Sequence, residues 1–145
     1  MNIYTIGFTK KSADGFFGLL RDSGASTLVD VRLNNVSQLA GFAKRDDLRY
    51  FLREICGMAY VHRSDLAPTQ PMLDAYRKGG GTWAEYEHQF LQLMKRRRIE
   101  ETASRELLDN SVLLCSEDKP DYCHRRLVAE YLARHWEGVD IKHLV

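Results

Sequence analysis

Five short apolar runs punctuate the chain: NIYTIGF at 2–8, STLVDVR at 26–32, MAYVH at 58–62, SVLLCS at 111–116 and DIKHLV at 140–145. Each has strand length and is bounded by glycine, polar or charged residues. Between them the apolar period changes from two to between three and four. Ala13, Phe16, Phe17 and Leu20 share one helical face, with Ser12 placed to cap it and Gly24 to end it. Leu48, Phe51, Leu52 and Ile55 repeat that spacing before Gly57. Thr82 and Glu85 form a capping box ahead of Trp83, Tyr86, Phe90, Leu91 and Met94. Residues 122–136 read as a last helix with Leu127, Val128, Tyr131, Leu132 and Trp136 inward, and a short helix is expected over 100–108. The stretch 64–81 follows neither period. Its two prolines and the Gly79–Gly81 triplet predict a loop, a short helix and a joint.

Strands alternating with helices imply right-handed crossovers and a sheet covered on both faces. The expected fold is a single three-layer α/β/α domain over 1–145, built on a mostly parallel five-stranded Rossmann-like sheet. The simplest strand order is 3-2-1-4-5, with a switch point between the first and fourth strands. Ligands of such sheets bind beyond the carboxyl ends of the strands near that point. Gly7-Phe8-Thr9, Asp30 with Arg32, and Cys115 to Glu117 all end strands there.

Composition narrows the classes. A formal charge of +1 on 145 residues gives no global field for nucleic acid or membranes, and 44% hydrophobic with 28% charged residues is ordinary for a globular protein. Three cysteines without regular spacing read as reduced thiols. With no leader and no long apolar segment, a cytoplasmic location is expected.

Asp30 interrupts an apolar strand, where a lone carboxylate is costly, and Arg32 points to the same face two residues on. The pair either positions a substrate or ties down the following loop. Gly7 allows close approach of a ligand or of backbone. His62 ends the third strand and reads as a structural histidine. Cys115 precedes a loop and a helix N-terminus, a setting that favours thiolate. Glu117, Asp118 and Asp121 in that loop act against it. Cys115, Cys123 and His124, with His62 as a further candidate, are metal-ligand types, but no paired C-x-x-C spacing is present, and neighbours on a helix diverge by about 100°. The basic run Lys95 to Arg98 ends a helix, where the dipole favours cations.

The segments YTIGFT, LVDVR and LLCSEDKPDYCHRRLVAEYL, with GFAKRDDLRYFL in the middle, resemble the domain-of-unknown-function 488 family in the same order along almost the whole chain. That resemblance implies an α/β domain with a site at Cys115, Glu117, Cys123, His124 and Arg125. Members often read Ile-Gly-His-Ser after the first strand, where this chain has Ile6-Gly7-Phe8-Thr9 and offers no imidazole. A looser similarity to rhodanese-type domains concerns layout only.

The expected function is that of a small enzyme acting on an anionic or nucleotide-like substrate at the strand ends. Glu117, Cys115 and Asp30 are its candidate catalytic residues. Gly7, Thr9, Arg32, Cys123, His124 and Arg125 are its candidate binding residues. No cofactor or metal and no membrane partner is expected, and nucleic acid is a minor possibility. The alternatives are a non-catalytic nucleotide, nucleic-acid or protein binding module, and a cysteine-dependent sulfur-transfer or metal-binding protein.

Overall fold

The structure, a computed structural model, describes residues 1–36 and 41–145. Five strands, β1 (Asn2–Gly7), β2 (Thr27–Asp30), β3 (Ala59–His62), β4 (Ser111–Cys115) and β5 (Asp140–Leu144), form one all-parallel sheet. Its order is β3-β2-β4-β1-β5 rather than the expected 3-2-1-4-5. β4 lies between β2 and β1, pairing Thr27–Asp30 on one side and Ile3–Gly7 on the other. The physical reason is burial. Every residue of β4 is buried, whereas β1 exposes Asn2 and half-exposes Tyr4. The strand most apolar on both faces takes the centre, whatever its place in the chain.

The alternation of side chains divides the core in two. On one face Ile6, Leu28, Val112 and Leu114 pack under α1 (Ala13–Ser23) and α2 (Arg45–Phe51). On the other, Ile3, Val29, Val31, Leu113 and Cys115 pack under a larger layer. That layer comprises α3 (Gln70–Arg77), α4 (Trp83–Arg97), the single turns α5 (Ile99–Thr102) and α6 (Arg105–Leu108), and α7 (His124–His135). The link from β1 to β2 passes over one face and that from β4 to β5 over the other, in opposite directions, as a common hand requires.

Local signals account for most boundaries. The Ser12 hydroxyl accepts from Gly15 N–H, and Gly24 closes α1 in the left-handed region at φ 74°. Thr82 and Glu85 make the reciprocal capping box of α4. The helix expected through Ile55 instead ends as α at Phe51 and continues as one π turn over Leu52–Cys56, which leaves Ile55 exposed. The short helix expected over 100–108 is two separate turns, α5 and α6. Among the described residues no helix is long and apolar enough to cross a membrane.

Candidate functional site

The carboxyl ends of β1, β2 and β4 are adjacent, as expected, and three clusters meet there. The first surrounds Asp30, which is fully buried. Its carboxylate accepts from Arg32 backbone N–H (3.1 Å), Nε (2.9 Å) and Nη2 (2.9 Å), and from the Tyr60 hydroxyl (2.6 Å). Asn35 Nδ2 donates to the Tyr60 oxygen at 3.1 Å. Burial, then the Asp30 carboxylate, raises the Tyr60 phenol far above its ordinary range, so it stays a donor. The bidentate grip fixes the Arg32 plane. Arg32 is only 2% exposed and lies over the Phe8 ring, yet its Nη1 has no hydrogen-bond partner among the described residues.

The second cluster joins Gly7 to the loop after β4. A Cβ on Gly7 would lie 1.5 Å from the Glu117 carbonyl oxygen and 2.9 Å from Arg125 Nη1. The close approach that Gly7 permits is therefore that of the chain's own loop. Arg125, fully buried, donates to the Glu117 carbonyl at 2.5 Å and to the Asp118 carbonyl at 3.3 Å. Thr9 N–H donates to the Ser116 carbonyl at 3.1 Å, and Arg126 Nη2 to that of Asp121 at 3.1 Å. The carbonyls of Ser116, Glu117, Asp118 and Asp121 are thus taken up by donors within the protein. Glu117 itself is exposed, and Asp118 is paired with Lys11 at 2.8 Å, which lowers its carboxyl below the usual range.

The third cluster is Cys115, Cys123 and His124, all buried, with one donor atom from each within 4.8 Å of the others. Divergence along a helix does not keep Cys123 and His124 apart. Cys123 is the N-cap, extended at φ −135° and ψ 138°, and only His124 is helical. Adjacent residues can therefore turn to the same sulfur. His124 Nε2 lies 2.6 Å from the Val31 carbonyl, which can only accept, so we assign the proton to Nε2. Nδ1, with its lone pair, then faces Cys115 Sγ at 3.4 Å. Burial chiefly lowers the His124 pKa, with Arg125 and Arg77 adding to it, and keeps the ring neutral.

Burial is also the largest influence on Cys115, pushing the thiol up. The adjacent Cys123 S–H, the Arg125 guanidinium and the Ser116 N–H together outweigh it and leave Cys115 below the ordinary thiol value. Asp30, rather than the acidic loop, is the carboxylate that opposes them. Cys123 goes the other way: burial, then its neighbour Cys115, raise it well above a normal thiol. The same three donors have the types and spacing to hold a soft or borderline divalent ion.

A cleft of about 330 Å³ opens over this cluster, lined by Arg32, Asn34, Arg77, Cys115, Ser116 and His124, with Leu33, Pro68 and Leu73 as its apolar wall. A smaller cavity, about 30 Å³, reaches Cys123 between Trp83, Tyr86, Tyr122 and Glu117. Of the residues expected at the site, Arg32, Cys115 and His124 line the main cleft, and Cys123 and Glu117 the small cavity. Gly7, Thr9, Asp30 and Arg125 line neither and act on the surroundings. His62 bonds through Nε2 to the Arg32 carbonyl at 2.8 Å. In the basic run, Arg97 is committed to the carbonyls of Asp65 and Ala67 at 2.8 and 2.7 Å, and Arg98 is paired with Glu101.

Sequence reasoning missed Arg77, Tyr60 and Asn35. Arg77 ends α3 inside the irregular middle segment, and no local pattern places it opposite β4. Tyr60 carried a signal: it faces the same side as Asp30 on a neighbouring strand.

No curated protein and no solved structure matches the chain. The family model described as "Domain of unknown function DUF488" matches residues 12–132, a span that holds the Asp30–Arg32 pair, Cys115, Cys123, His124 and Arg125, and the chain belongs to that family.

Proposed function

We propose that the protein is a small enzyme that draws an anionic substrate into the cleft over Cys115 and attacks it with the Cys115 sulfur. The observation that carries this reading is the placement of a thiol between a neutral imidazole nitrogen at 3.4 Å and a cleft wall of two arginines. Reactive cysteines occupy such electropositive surroundings, whereas structural ones are inert. Arg77 is exposed and, among the described residues, makes no ion pair, and Arg32 keeps Nη1 unpartnered. Arg77 meets the substrate's negative charge, and the Arg32 guanidinium, with its Nη1 buried, backs it from the cleft wall. Asp30 is a positioning residue that aims Arg32. The proton role passes from Glu117, which is exposed, to His124, whose Nδ1 accepts from the thiol and returns the proton to a leaving group. Arg125 holds the loop instead of the substrate. The cleft volume is at the small end for ligand sites and suits a small anion better than a whole nucleotide.

Alkylation by two reagents of like size tests this. Iodoacetate is anionic and iodoacetamide neutral, and mass spectrometry reports each cysteine separately. The iodoacetate-to-iodoacetamide rate ratio is expected to be higher at Cys115 than at half-buried Cys56, and to fall in Arg77→Ala. Cys115 that reacts no faster than Cys56 with either reagent across pH 6–9 would refute the nucleophile.

A further inference from the structure

Resting on the reading of Cys115 as nucleophile, we infer that Cys123 is a second catalytic thiol and that the substrate is a small anionic disulfide, which the Cys115–Cys123 pair reduces. Three observations carry this. The two sulfurs lie within 4.8 Å of each other, both buried, and both beside the same imidazole. Cys123 is in extended backbone outside the helix, so its side chain can turn to Cys115 without unwinding α7. The Ser116 N–H donates to the Cys115 sulfur, and the floor of the site is buried and apolar, with Phe90 against His124, which suits an exchange in which one negative charge passes along three sulfurs.

The steps balance as follows. Cys115 thiolate attacks one sulfur of the disulfide RSSR, forming the mixed disulfide Cys115–S–S–R and expelling one RS⁻. Cys123 S–H gives its proton to His124 Nδ1, and its sulfur attacks Cys115 Sγ, expelling the second RS⁻ as the Cys115–Cys123 bond forms. The substrate gains two electrons and the two protein thiols lose them. The two thiol protons end on the two RSH products. An external low-molecular-weight thiol then reduces the protein disulfide. Bond formation brings the sulfurs to about 2 Å, which Cys123 reaches by side-chain rotation and a small shift of the N-cap. Cys115 lines the main cleft whereas Cys123 opens only to the small cavity, so a substrate entering the cleft meets Cys115 first and Cys123 waits for its partner to be modified.

The test uses the full chain carrying Cys56→Ser, reduced, with dithiobis(nitrobenzoate), an aryl disulfide bearing two carboxylates, as the probe. Cys56 is the one other cysteine, so all signal comes from the pair. The expected result is release of two coloured thiolates per chain and a product lighter than the reduced protein by two hydrogens, with no retained adduct. In Cys123→Ser one thiolate is released and one adduct stays on Cys115. In Cys115→Ser the fast phase slows by roughly tenfold or more. The neutral hydroxyethyl disulfide should react more slowly than the anionic probe, by a margin that Arg77→Ala narrows. A stable Cys115 adduct in the Cys56→Ser protein would overturn the resolving role of Cys123 while leaving the nucleophile intact. An unreactive Cys115 would remove both. Stoichiometric zinc in protein purified without a histidine tag, blocking both thiols until chelated, would also overturn the proposal.

Discussion

Replacing Gly7 with alanine isolates the contact on which the site loop is built. The new Cβ would lie 1.5 Å from the Glu117 oxygen and 2.5 Å from its carbon, where ordinary contacts begin near 3.4 Å, so the loop must retreat by about 2 Å. β1 cannot yield instead, because it is paired on both sides, with Gly7 in register with Cys115. Retreat breaks the Arg125 Nη1 bond to the Glu117 carbonyl and strains that of Thr9 N–H to Ser116. Overpacking costs about 1–3 kcal/mol, and losing a charged hydrogen bond at a buried guanidinium costs about 1.5–3 kcal/mol. Together they give a loss of about 2.5–6 kcal/mol, a large part of a typical domain's total. With a urea slope of about 2 kcal/mol/M, the unfolding midpoint should fall by about 1.2–3 M. Equilibrium unfolding followed by circular dichroism measures it. Because Gly7 and Arg125 act on one carbonyl, Gly7→Ala should cost less in an Arg125→Met background than in the wild type. A midpoint within about 0.3 M of wild type, or strict additivity with Arg125→Met, would refute the account.

Asp30→Ala leaves the Arg32 charge buried without its carboxylate and should lower stability by about 3–5 kcal/mol, whereas Tyr60→Phe, removing one donor, should cost about 1–2 kcal/mol, both read from urea midpoints. His124 makes stability fall with pH. Its folded pKa is below the unfolded value near 6.5, so between those two values the unfolded chain binds more protons and stability drops as pH falls. Among the described residues no carboxylate hydrogen-bonds His124: its partners are the Val31 carbonyl and Cys115, and Arg125 and Arg77 disfavour the imidazolium. His124→Gln should reduce the slope of the stability profile from pH 6.5 downward to the part that His143, also lowered by burial, contributes, above the window below about pH 4 in which Asp65 and Asp118 lose their contribution. An unchanged slope in that variant would sink the assignment.

The local elements were legible because local chemistry makes them. Ser12, Gly24 and the Thr82–Glu85 box act within a turn of their own positions, and the five apolar runs match the five strands to within about two residues. The strand order was not, because it depends on which strands bury best against each other, and β4 wins the centre from 81 positions after β2 ends. The site was half legible. Asp30–Arg32 could be paired by side-chain period alone, and Cys115 could be placed at a strand end. The convergence of Cys123 with His124 was hidden because helix geometry was applied one residue too early, to an N-cap that is extended. Arg77 was hidden because its approach to Cys115 is purely tertiary.

The position of β4 also sets a schedule for synthesis. β1 and β2 do not touch as partners, and each waits for Ser111–Cys115 to supply its neighbour. A ribosome adding about 5–20 residues per second makes β2 roughly 4–17 s before β4 is complete. Through that interval two apolar strands have open edges, β2 with only the four-residue β3 beside it and β1 with nothing. Edges of this kind recruit chaperones or other chains. The strand that closes the gap is the one that ends in Cys115, so a chain stalled before β4 carries neither thiol of the pair, and the reactive centre forms only once β1 and β2 have gained their shared neighbour.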